Sequence, residues 1–139
     1  MIQFFFENID EIPISTLAIS WLEDVIKTEN KKLGEINYIL CDDEYLLKVN
    51  QDFLDHDYYT DIITFDYVKG KTISGDIFVS LPRISDSAKT LVRDFNSEFH
   101  RVLAHGILHL MGYKDKTEEE ITVMRQKEDF YLNVIANDM

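Results

Sequence analysis

The hydrophobic positions of the chain recur with two different periods, and each period predicts its own type of element. Four stretches are rich in β-branched and aromatic residues or alternate between apolar and polar positions, which is typical of strands. They are residues 2–6, 35–41, 62–68 and 73–80. In the second stretch, Ile36, Tyr38 and Leu40 fall on one face, so we expect that face to be buried. A Lys-Gly-Lys turn at residues 69–71 predicts that the last two strands form a hairpin.

Five other stretches carry apolar residues at helical spacing and begin with residues that favour a helix N-terminus. These helices are expected from Ser15 to Glu29, from Asp42 or Asp43 to about Phe53, from Pro82 to Phe95, from Asn96 or Ser97 to Gly112, and from Thr117 to Ile135. Gly34 is expected to break the chain ahead of the second strand. Because helices and strands mix without regular βαβ alternation, the sequence predicts a single α+β domain over residues 1–139. We expect a small mixed sheet of about four strands packed with about five helices.

The strongest chemical pattern is the stretch from His105 to Asp115, which reads HGILHLMGYKD. At about 100° per residue, His105 and His109 project from one face of the predicted helix. Gly112 can adopt the left-handed conformation that ends a helix, and the turn would bring Asp115 back to the imidazoles. Two nitrogens and one carboxylate with an open fourth position form a catalytic zinc site. We therefore predict one Zn²⁺ per chain on His105, His109 and Asp115, with a purely structural histidine pair as the alternative.

The same stretch is similar to the zinc helix of metzincin peptidases, whose pattern is His-Glu-x-x-His-x-x-Gly-x-x-His. His105, His109 and Gly112 match that pattern. Gly106 stands where those peptidases carry the Glu that acts as general base, and Asp115 stands where they carry the third histidine. The missing general base counts against a peptidase.

Composition and charge narrow the possible partners. With 139 residues, of which 45% are hydrophobic, the chain can bury a core without disulfides, and its single cysteine, Cys41, excludes a cysteine zinc site. The N-terminal apolar run is too short for a signal peptide and no apolar segment has membrane-spanning length, which predicts a cytoplasmic protein with no membrane contact. The net charge of −12 counts against general nucleic-acid binding, but the acidic excess lies before residue 61 and after residue 116. A phosphate-bearing substrate is compatible with the segment that holds the histidines.

Three motifs together resemble the YbeY family. HGILHLMGY at residues 105–113 is similar to the family motif His-Gly-x-Leu-His-Leu-x-Gly-Tyr-Asp-His, and TDIITF at residues 60–65 is similar to the strand Thr-Asp-Val-Leu-Ser-Phe. SGDI at residues 74–77 is similar to the family Gly-Asp-Ile, and the order and spacing of the three motifs agree from about Val49 to Tyr113. The resemblance implies a metal-dependent endoribonuclease specific for single-stranded RNA. Its substrate would be the 3′ end of small-subunit (16S) ribosomal RNA, and it would act in ribosome quality control.

The chain departs from the family motifs at two positions. The resemblance implies that His105 and His109 bind zinc, and that Asp115 occupies the position of a third ligand that is usually histidine. An anionic ligand lowers the net charge of the site by about one unit relative to three neutral histidines. The family usually carries an arginine before the Thr-Asp strand, where this chain has Leu54, which implies altered RNA cleavage or binding. His56, shortly after it, is a candidate to replace that arginine in part.

The leading hypothesis is a zinc-dependent endoribonuclease in which the metal polarises the scissile phosphate, activates water, or both. Asp61, Asp76 and His56 are candidates to support the site, and no catalytic side chain is assigned. The alternative function is a ribosome-assembly factor with a mainly structural zinc, whose acidic surface would bind a basic ribosomal protein of the small subunit. A third is a metal-dependent hydrolase of other substrates, including peptides, which Gly106 disfavours.

The predicted hairpin is the expected wall of an RNA groove. Its first strand, residues 62–67, would line the groove together with Lys69 and Lys71. Aromatic side chains nearby would offer stacking surfaces for bases. They are Tyr58, Tyr59 and Tyr67.

Overall fold

Four strands and five helices make up residues 1–138, which are the residues that the computed structural model describes. The strands are β1 (Ile2–Glu7), β2 (Lys32–Cys41), β3 (Ile62–Asp66) and β4 (Thr72–Ser80). The helices are α1 (Thr16–Thr28), α2 (Asp43–Leu54), α3 (Leu81–Thr90), α4 (Phe95–Leu110) and α5 (Glu118–Asp138). Over these residues, no helix is both long and apolar enough to cross a membrane. The α+β class predicted from the sequence is confirmed.

The strands form one mixed sheet in the order β1-β2-β4-β3. β1 pairs with β2 and β2 pairs with β4 in parallel, whereas β3 and β4 form the predicted antiparallel hairpin. The parallel strands β1 and β2 are connected through α1, which makes a βαβ unit. The sequence pattern did not predict this unit, because the next parallel connection contains both α2 and β3 and so hides the alternation.

One face of the sheet packs against α1 and α4. The predicted buried positions Ile36, Tyr38 and Leu40 are all fully buried on this face. The Tyr38 hydroxyl donates a hydrogen bond of 2.7 Å to the carbonyl oxygen of Leu103 in α4. Because a buried hydroxyl without a partner would destabilise the fold, this bond fixes α4 against the centre of the sheet.

The opposite face of the sheet is covered by α2. Leu46 and Val49 of this helix pack with Ile63 and Cys41 of the sheet. Cys41 is fully buried and behaves as a small hydrophobic residue. Burial, together with nearby carboxylates, raises the pKa of its thiol to about 12. The thiol is therefore protonated and inert at neutral pH.

The sequence predicted the start of three helices correctly. Ser15 and Asp42 accept hydrogen bonds from backbone N–H groups in the first turns of α1 and α2, at 3.1 and 2.8 Å. At α5 the predicted capping box forms in both directions. The Glu120 N–H donates to the Thr117 hydroxyl at 3.1 Å, and the Thr117 N–H donates to the Glu120 carboxylate at 3.0 Å.

The predicted end of α3 was wrong. The helix ends at Thr90 rather than at Phe95, because Val92 adopts a left-handed conformation with a φ of 52°. The N–H groups of Val92 and of the next residue return to the carbonyls of the last helical turn at 3.2 and 2.8 Å, which is a Schellman cap. Glycine usually occupies the left-handed position of such a cap, so a valine there gives no sequence signal.

Two further expectations about boundaries were wrong. Asp94, not Asn96 or Ser97, is the N-cap of α4, because it has the extended backbone conformation that an N-cap requires. Gly34 does not break the chain but lies inside β2, where the register with β4 shifts. A side chain at Gly34 would place its Cβ 2.1 Å from the Ser74 hydroxyl oxygen. The glycine therefore permits the close approach of β4.

A similar close approach joins α4 to the sheet at Gly75, and it predicts the effect of a methyl group there. A Cβ at Gly75 would lie 2.5 Å from the carbonyl oxygen of Phe65 and 2.9 Å from Leu110 Cδ2 of α4. We expect Gly75→Ala to lower the free energy of unfolding by about 2–3 kcal/mol, measured by urea denaturation.

Gly70→Ala is the control for this prediction, because nothing lies within 4 Å of its Cβ position. It should cost only about 1 kcal/mol, since the φ of Gly70 is 59°. An equal or smaller loss for Gly75→Ala would contradict the close contact between the sheet and α4.

Candidate metal centre

The C-terminal end of α4 carries the two histidines of the predicted site. The rings of His105 and His109 lie on the same face of the helix with centroids 4.6 Å apart. The helix ends at Leu110, and Gly112 has the predicted positive φ, at 101°. The N–H groups of Gly112 and Tyr113 bond to carbonyls of the last turn at 3.0 and 3.1 Å, which forms a Schellman cap. The chain therefore reverses directly after the second histidine.

The reversal brings Asp115 back to the imidazoles. Asp115 Oδ2 lies 3.3 Å from His105 Nε2 and 3.3 Å from His109 Nε2. Donor atoms of all three residues lie within 4.8 Å of one another. The side chain of Asp115 is 39% exposed, that of His105 20% and that of His109 25%. The structure thus brings together the three predicted metal ligands at the edge of a solvent-accessible cleft.

The spacing of these donor atoms fits a tetrahedral metal ion. Zinc binds imidazole nitrogen and carboxylate oxygen at about 2.0–2.2 Å, so two ligand atoms of a tetrahedral site lie about 3.4 Å apart. The two nitrogen–oxygen distances of 3.3 Å agree with that separation. The cleft that holds the three donors is also lined by Thr60 and Asp61, and it leaves one side of the cluster open. A neighbouring cleft continues from it along α5. The residues present therefore fit a three-ligand zinc site with an accessible fourth position.

Glu128 of α5 orients His105, a role that was not predicted from the sequence. The Nδ1 atom of His105 lies 2.7 Å from Glu128 Oε2, and the other oxygen of Glu128 accepts a 2.8 Å hydrogen bond from Arg101. A proton on Nδ1, donated to Glu128, leaves the lone pair of Nε2 directed toward Asp115. A signal was present in the sequence, because Glu128 interrupts the apolar face of α5 between Met124 and Tyr131.

The charges of this pair reinforce each other. Burial lowers the pKa of His105, but the hydrogen bond and charge of Glu128, with the charges of Asp115 and Asp61, outweigh it and raise that pKa above its ordinary value. Burial likewise raises the pKa of Glu128, but His105 and Arg101 outweigh it and the pKa is lowered. Glu128 therefore remains a carboxylate at neutral pH, and it makes His105 a more basic ligand.

Comparison with known proteins agrees with the motifs in this site. The sequence profile described as Endoribonuclease YbeY matches residues 4–136. The chain belongs to the YbeY family. A protein of Flavobacterium johnsoniae named Endoribonuclease YbeY is 53% identical over 129 residues, which cover 93% of each chain. One of the same name from Cytophaga hutchinsonii is 57% identical over 117 residues, covering 83% of this chain and 81% of that protein.

The fold is similar to a solved structure as well. The solution structure of TM1509 from Thermotoga maritima superposes with a TM-score of 0.72 at 27% sequence identity. The superposition covers 99% of this chain and 91% of that chain. The similarity of fold therefore extends over nearly the whole chain, including the elements that carry the site.

Two of the three residues predicted to support the YbeY site lie elsewhere. Asp76 accepts hydrogen bonds from Asn37 at 3.0 Å and Tyr67 at 3.3 Å, on the sheet face opposite to α4. His56 is exposed and stacks on Tyr58 with ring centroids 5.1 Å apart, outside the linings of both clefts. Neither contacts the histidines, because alternation along β4 and the path of the loop direct them away. Asp61 does line both clefts together with His105, and its role as a supporting residue stays a prediction.

Glu29, at the C-terminal end of α1, holds the turn that carries Asp115. Its carboxylate accepts hydrogen bonds from the Tyr113 hydroxyl at 2.6 Å, from Lys127 Nζ at 3.0 Å and from the Tyr131 hydroxyl. Tyr113 directly follows the glycine that ends α4. The network therefore ties α1 and α5 to the loop on which Asp115 lies.

Removing the charge of Glu128 tests its action on the centre. We expect Glu128→Gln to lower zinc affinity about 10–100-fold, because the hydrogen-bond partner of His105 becomes neutral. Affinity can be measured by competition with a chromophoric chelator. Asp129→Asn is the matched control, since Asp129 shares Arg101 at 2.7 Å but makes no described contact with His105. Equal affinities for the two variants would show that Glu128 does not act through His105.

The Glu29 network predicts a stability that depends on pH. Burial raises the pKa of Glu29, but hydrogen bonds from Tyr113, Tyr131 and Lys127 outweigh it, so the folded pKa lies below the ordinary 4.5. A lowered pKa stabilises the fold fully above the ordinary pKa of 4.5, and this stabilisation is lost as pH falls below 4.5 and through the folded pKa. We expect Glu29→Gln to lower the free energy of unfolding by about 1.5–3 kcal/mol at neutral pH.

Urea denaturation at pH 7 and below pH 4.5 measures this dependence, and the gap between wild type and Glu29→Gln should narrow at the lower pH. Asp24→Asn on the same helix is the control, because this side chain is exposed, and it should change stability little at either pH. A gap that stays constant with pH would show that the carboxylate charge is not the stabilising element.

Proposed function

We propose that the protein is a zinc-dependent endoribonuclease that cleaves single-stranded RNA. Its cellular role would be maturation of the 3′ end of small-subunit (16S) ribosomal RNA and ribosome quality control, in the cytoplasm. The observation that carries the proposal is the convergence of His105 Nε2, His109 Nε2 and Asp115 Oδ2 in an open cleft. The names of the YbeY relatives support RNA as the substrate.

The residues of the cleft divide the chemical work. A zinc ion on His105, His109 and Asp115 would supply a Lewis acid for a phosphodiester. Glu128 holds His105 in the tautomer whose Nε2 faces the cleft. Asp61 lines the same cleft and is not part of the three-residue cluster. We propose that its carboxylate accepts a hydrogen bond from an attacking hydroxyl or water.

The position of Gly106 argues against a peptidase. A Cβ at this residue would lie 2.9 Å from Ile77 Cγ2 and 3.2 Å from Ile62 Cδ1, so the position packs against side chains of the sheet. A glutamate here could not reach the cleft without displacing both isoleucines. The general base of zinc peptidases is therefore excluded by packing as well as by sequence.

The surroundings of the cleft suit an extended single strand. Ile62 and Thr64 of β3 line it, and the exposed ring of Tyr58 lies in the loop before this strand. Tyr67 is directed elsewhere, because its hydroxyl donates a hydrogen bond to Asp76 on the sheet face opposite to α4. Lys69 and Lys71 lie in the hairpin turn after β3, where they would contact phosphates. Tyr59 offers less surface for base stacking, because its hydroxyl donates a hydrogen bond to Glu44 and the Arg83 guanidinium lies over its ring.

A ribosome-assembly factor with a structural zinc remains the second candidate. The net charge of −12 favours a basic protein partner on the small subunit. Structural zinc sites, however, usually have four protein ligands and are closed to solvent. The three-residue cluster with an open side favours chemistry over structure.

Loss of either histidine should remove metal and activity together. We expect wild-type protein to bind about one zinc per chain. His105→Ala and His109→Ala should each lower the rate of cleavage of single-stranded RNA at least about 100-fold. This loss is larger than the one expected for Glu128→Gln, because a metal ligand itself is removed and not its hydrogen-bond partner. Chelation should abolish cleavage and added zinc should restore it. His56→Ala, an exposed histidine outside the cleft, should retain both zinc and cleavage. Cleavage that persists in His105→Ala and in chelator would contradict the proposal.

The same variants separate the two candidate functions in the cell. His105→Ala should fail to rescue 16S ribosomal RNA processing in a strain that lacks the gene, while His56→Ala rescues it. Rescue by His105→Ala, with normal association with the small subunit, would favour the assembly factor.

A further inference from the structure

A cleft of about 380 Å³ continues from the metal centre along the surface of α5. Four residues of α5 line it, and their spacing of i, i+3, i+4 and i+7 places them on one face of the helix. They are Ile121, Met124, Arg125 and Glu128. Since Glu128 contacts His105, this face leads directly away from the metal centre.

Arg125 is the uncommitted cation of this cleft. Its neighbours at i+3 and i+4 are Glu128 and Asp129, and both carboxylates are bound by Arg101, at 2.8 and 2.7 Å. Glu98, on the opposite wall, is bound by Arg93 at 2.8 Å. Within the described part of the chain, Arg125 makes no ion pair within 4.0 Å, and its side chain is exposed. The helix therefore presents a guanidinium whose donors are available to a ligand.

The charges of the cleft are separated along its length. Asp61 and Asp115 lie at the metal end, whereas Arg125 is the cation on the α5 wall that no acid neutralises. An anionic ligand is therefore attracted to the α5 wall and not to the carboxylates. The planar fork of an arginine binds two oxygens of a phosphate at once, which suits a phosphodiester.

Exposed apolar side chains in the same cleft complete the site. Leu91 at the end of α3 is 50% exposed and Ile121 on α5 is 42% exposed, and both line the cleft. Large apolar side chains exposed at the rim of a polar cleft favour binding of a ligand whose apolar surface covers them. A phosphate and a flat apolar face at adjacent positions describe a nucleotide of a single strand, whose base is not paired.

We infer that the α5 wall is a subsite for a nucleotide that flanks the scissile bond of single-stranded RNA. Arg125 binds the phosphate, and Leu91 and Ile121 contact the base. This inference rests on the proposed function, because it assigns a second contact to the same substrate. It gives α5 two roles, since Glu128 orients a ligand of the centre and Arg125 places the strand.

Binding of RNA to the zinc-loaded full-length protein tests the subsite without relying on turnover. A fluorescent single-stranded RNA with phosphorothioate linkages serves as the probe, with anisotropy as readout and its integrity checked on a gel. We expect Arg125→Gln to weaken binding about tenfold at low salt and to reduce the slope of log affinity against log salt by about 0.7, the value for one phosphate contact on a single strand. Arg125→Lys should keep the slope, because it keeps the charge.

Two variants separate the contacts of the subsite. Lys48→Gln removes the same charge from α2, where Lys48 pairs with Asp52 at 3.2 Å, and should leave affinity and slope unchanged. Ile121→Ser should weaken binding about threefold without changing the slope, since it removes an apolar contact only. The zinc content of all four variants should equal that of wild type.

The outcomes distinguish this inference from the proposed function. If wild type binds and cleaves the single strand but Arg125→Gln matches Lys48→Gln, the subsite is wrong and the nuclease proposal stands. If wild-type zinc-loaded protein neither binds nor cleaves single-stranded RNA, the proposed function fails and the subsite fails with it.

Discussion

The close approach of α4 to the sheet at Gly106 is the constraint on which the rest of the structure depends. A Cβ there would lie 2.9 Å from Ile77 Cγ2 and 3.2 Å from Ile62 Cδ1, so the glycine lets the helix pack directly on these side chains. The Tyr38 hydroxyl bonds to the backbone of the same helix one turn earlier. Because α4 is thus fixed in distance and rotation, His105 and His109, which lie about 100° and about 60° around the helix from Gly106 in the same direction, project into the cleft beside β3. The site is a consequence of how closely the helix packs, as well as of which residues it carries.

Opposite charges, and not apolar packing alone, hold α5 against α4. Glu128 of α5 is buried and pairs with Arg101 of α4 at 2.8 Å, and Arg101 also pairs with Asp129 of α5 at 2.7 Å. A buried carboxylate without its partner would be strongly destabilising, so these ion pairs fix the position of α5 within narrow limits. One of them extends to His105. The geometry of the metal centre is therefore coupled to the docking of a helix that contributes no predicted ligand.

Local sequence patterns predicted the helices and strands and the convergence of His105, His109 and Asp115. They did not predict contacts between side chains that lie far apart in the sequence. Alternation at Ile36, Tyr38 and Leu40 identified the buried face, and spacing placed Asp115 near the histidines. The end of α3 failed because Val92 forms a cap that glycine normally signals. Glu128 could not be assigned, because its partner lies 23 positions away on another helix. A residue that acts by binding a distant side chain has no sequence period of its own, and only its polarity on an apolar helix face distinguishes it.

The acidic character of the chain makes the position of each free cation significant. With zinc bound by two neutral imidazoles and Asp115, the centre would carry about one positive charge, and Asp61 in the same cleft would offset much of it. A phosphate would then gain little from the centre alone. Leu54 lies outside both cleft linings, so the loop that carries an arginine in the family motif supplies no charge to them here. Positive potential must come from other walls of the cleft, and the lining residue that supplies it without an acid partner is Arg125 on α5, within the described part of the chain.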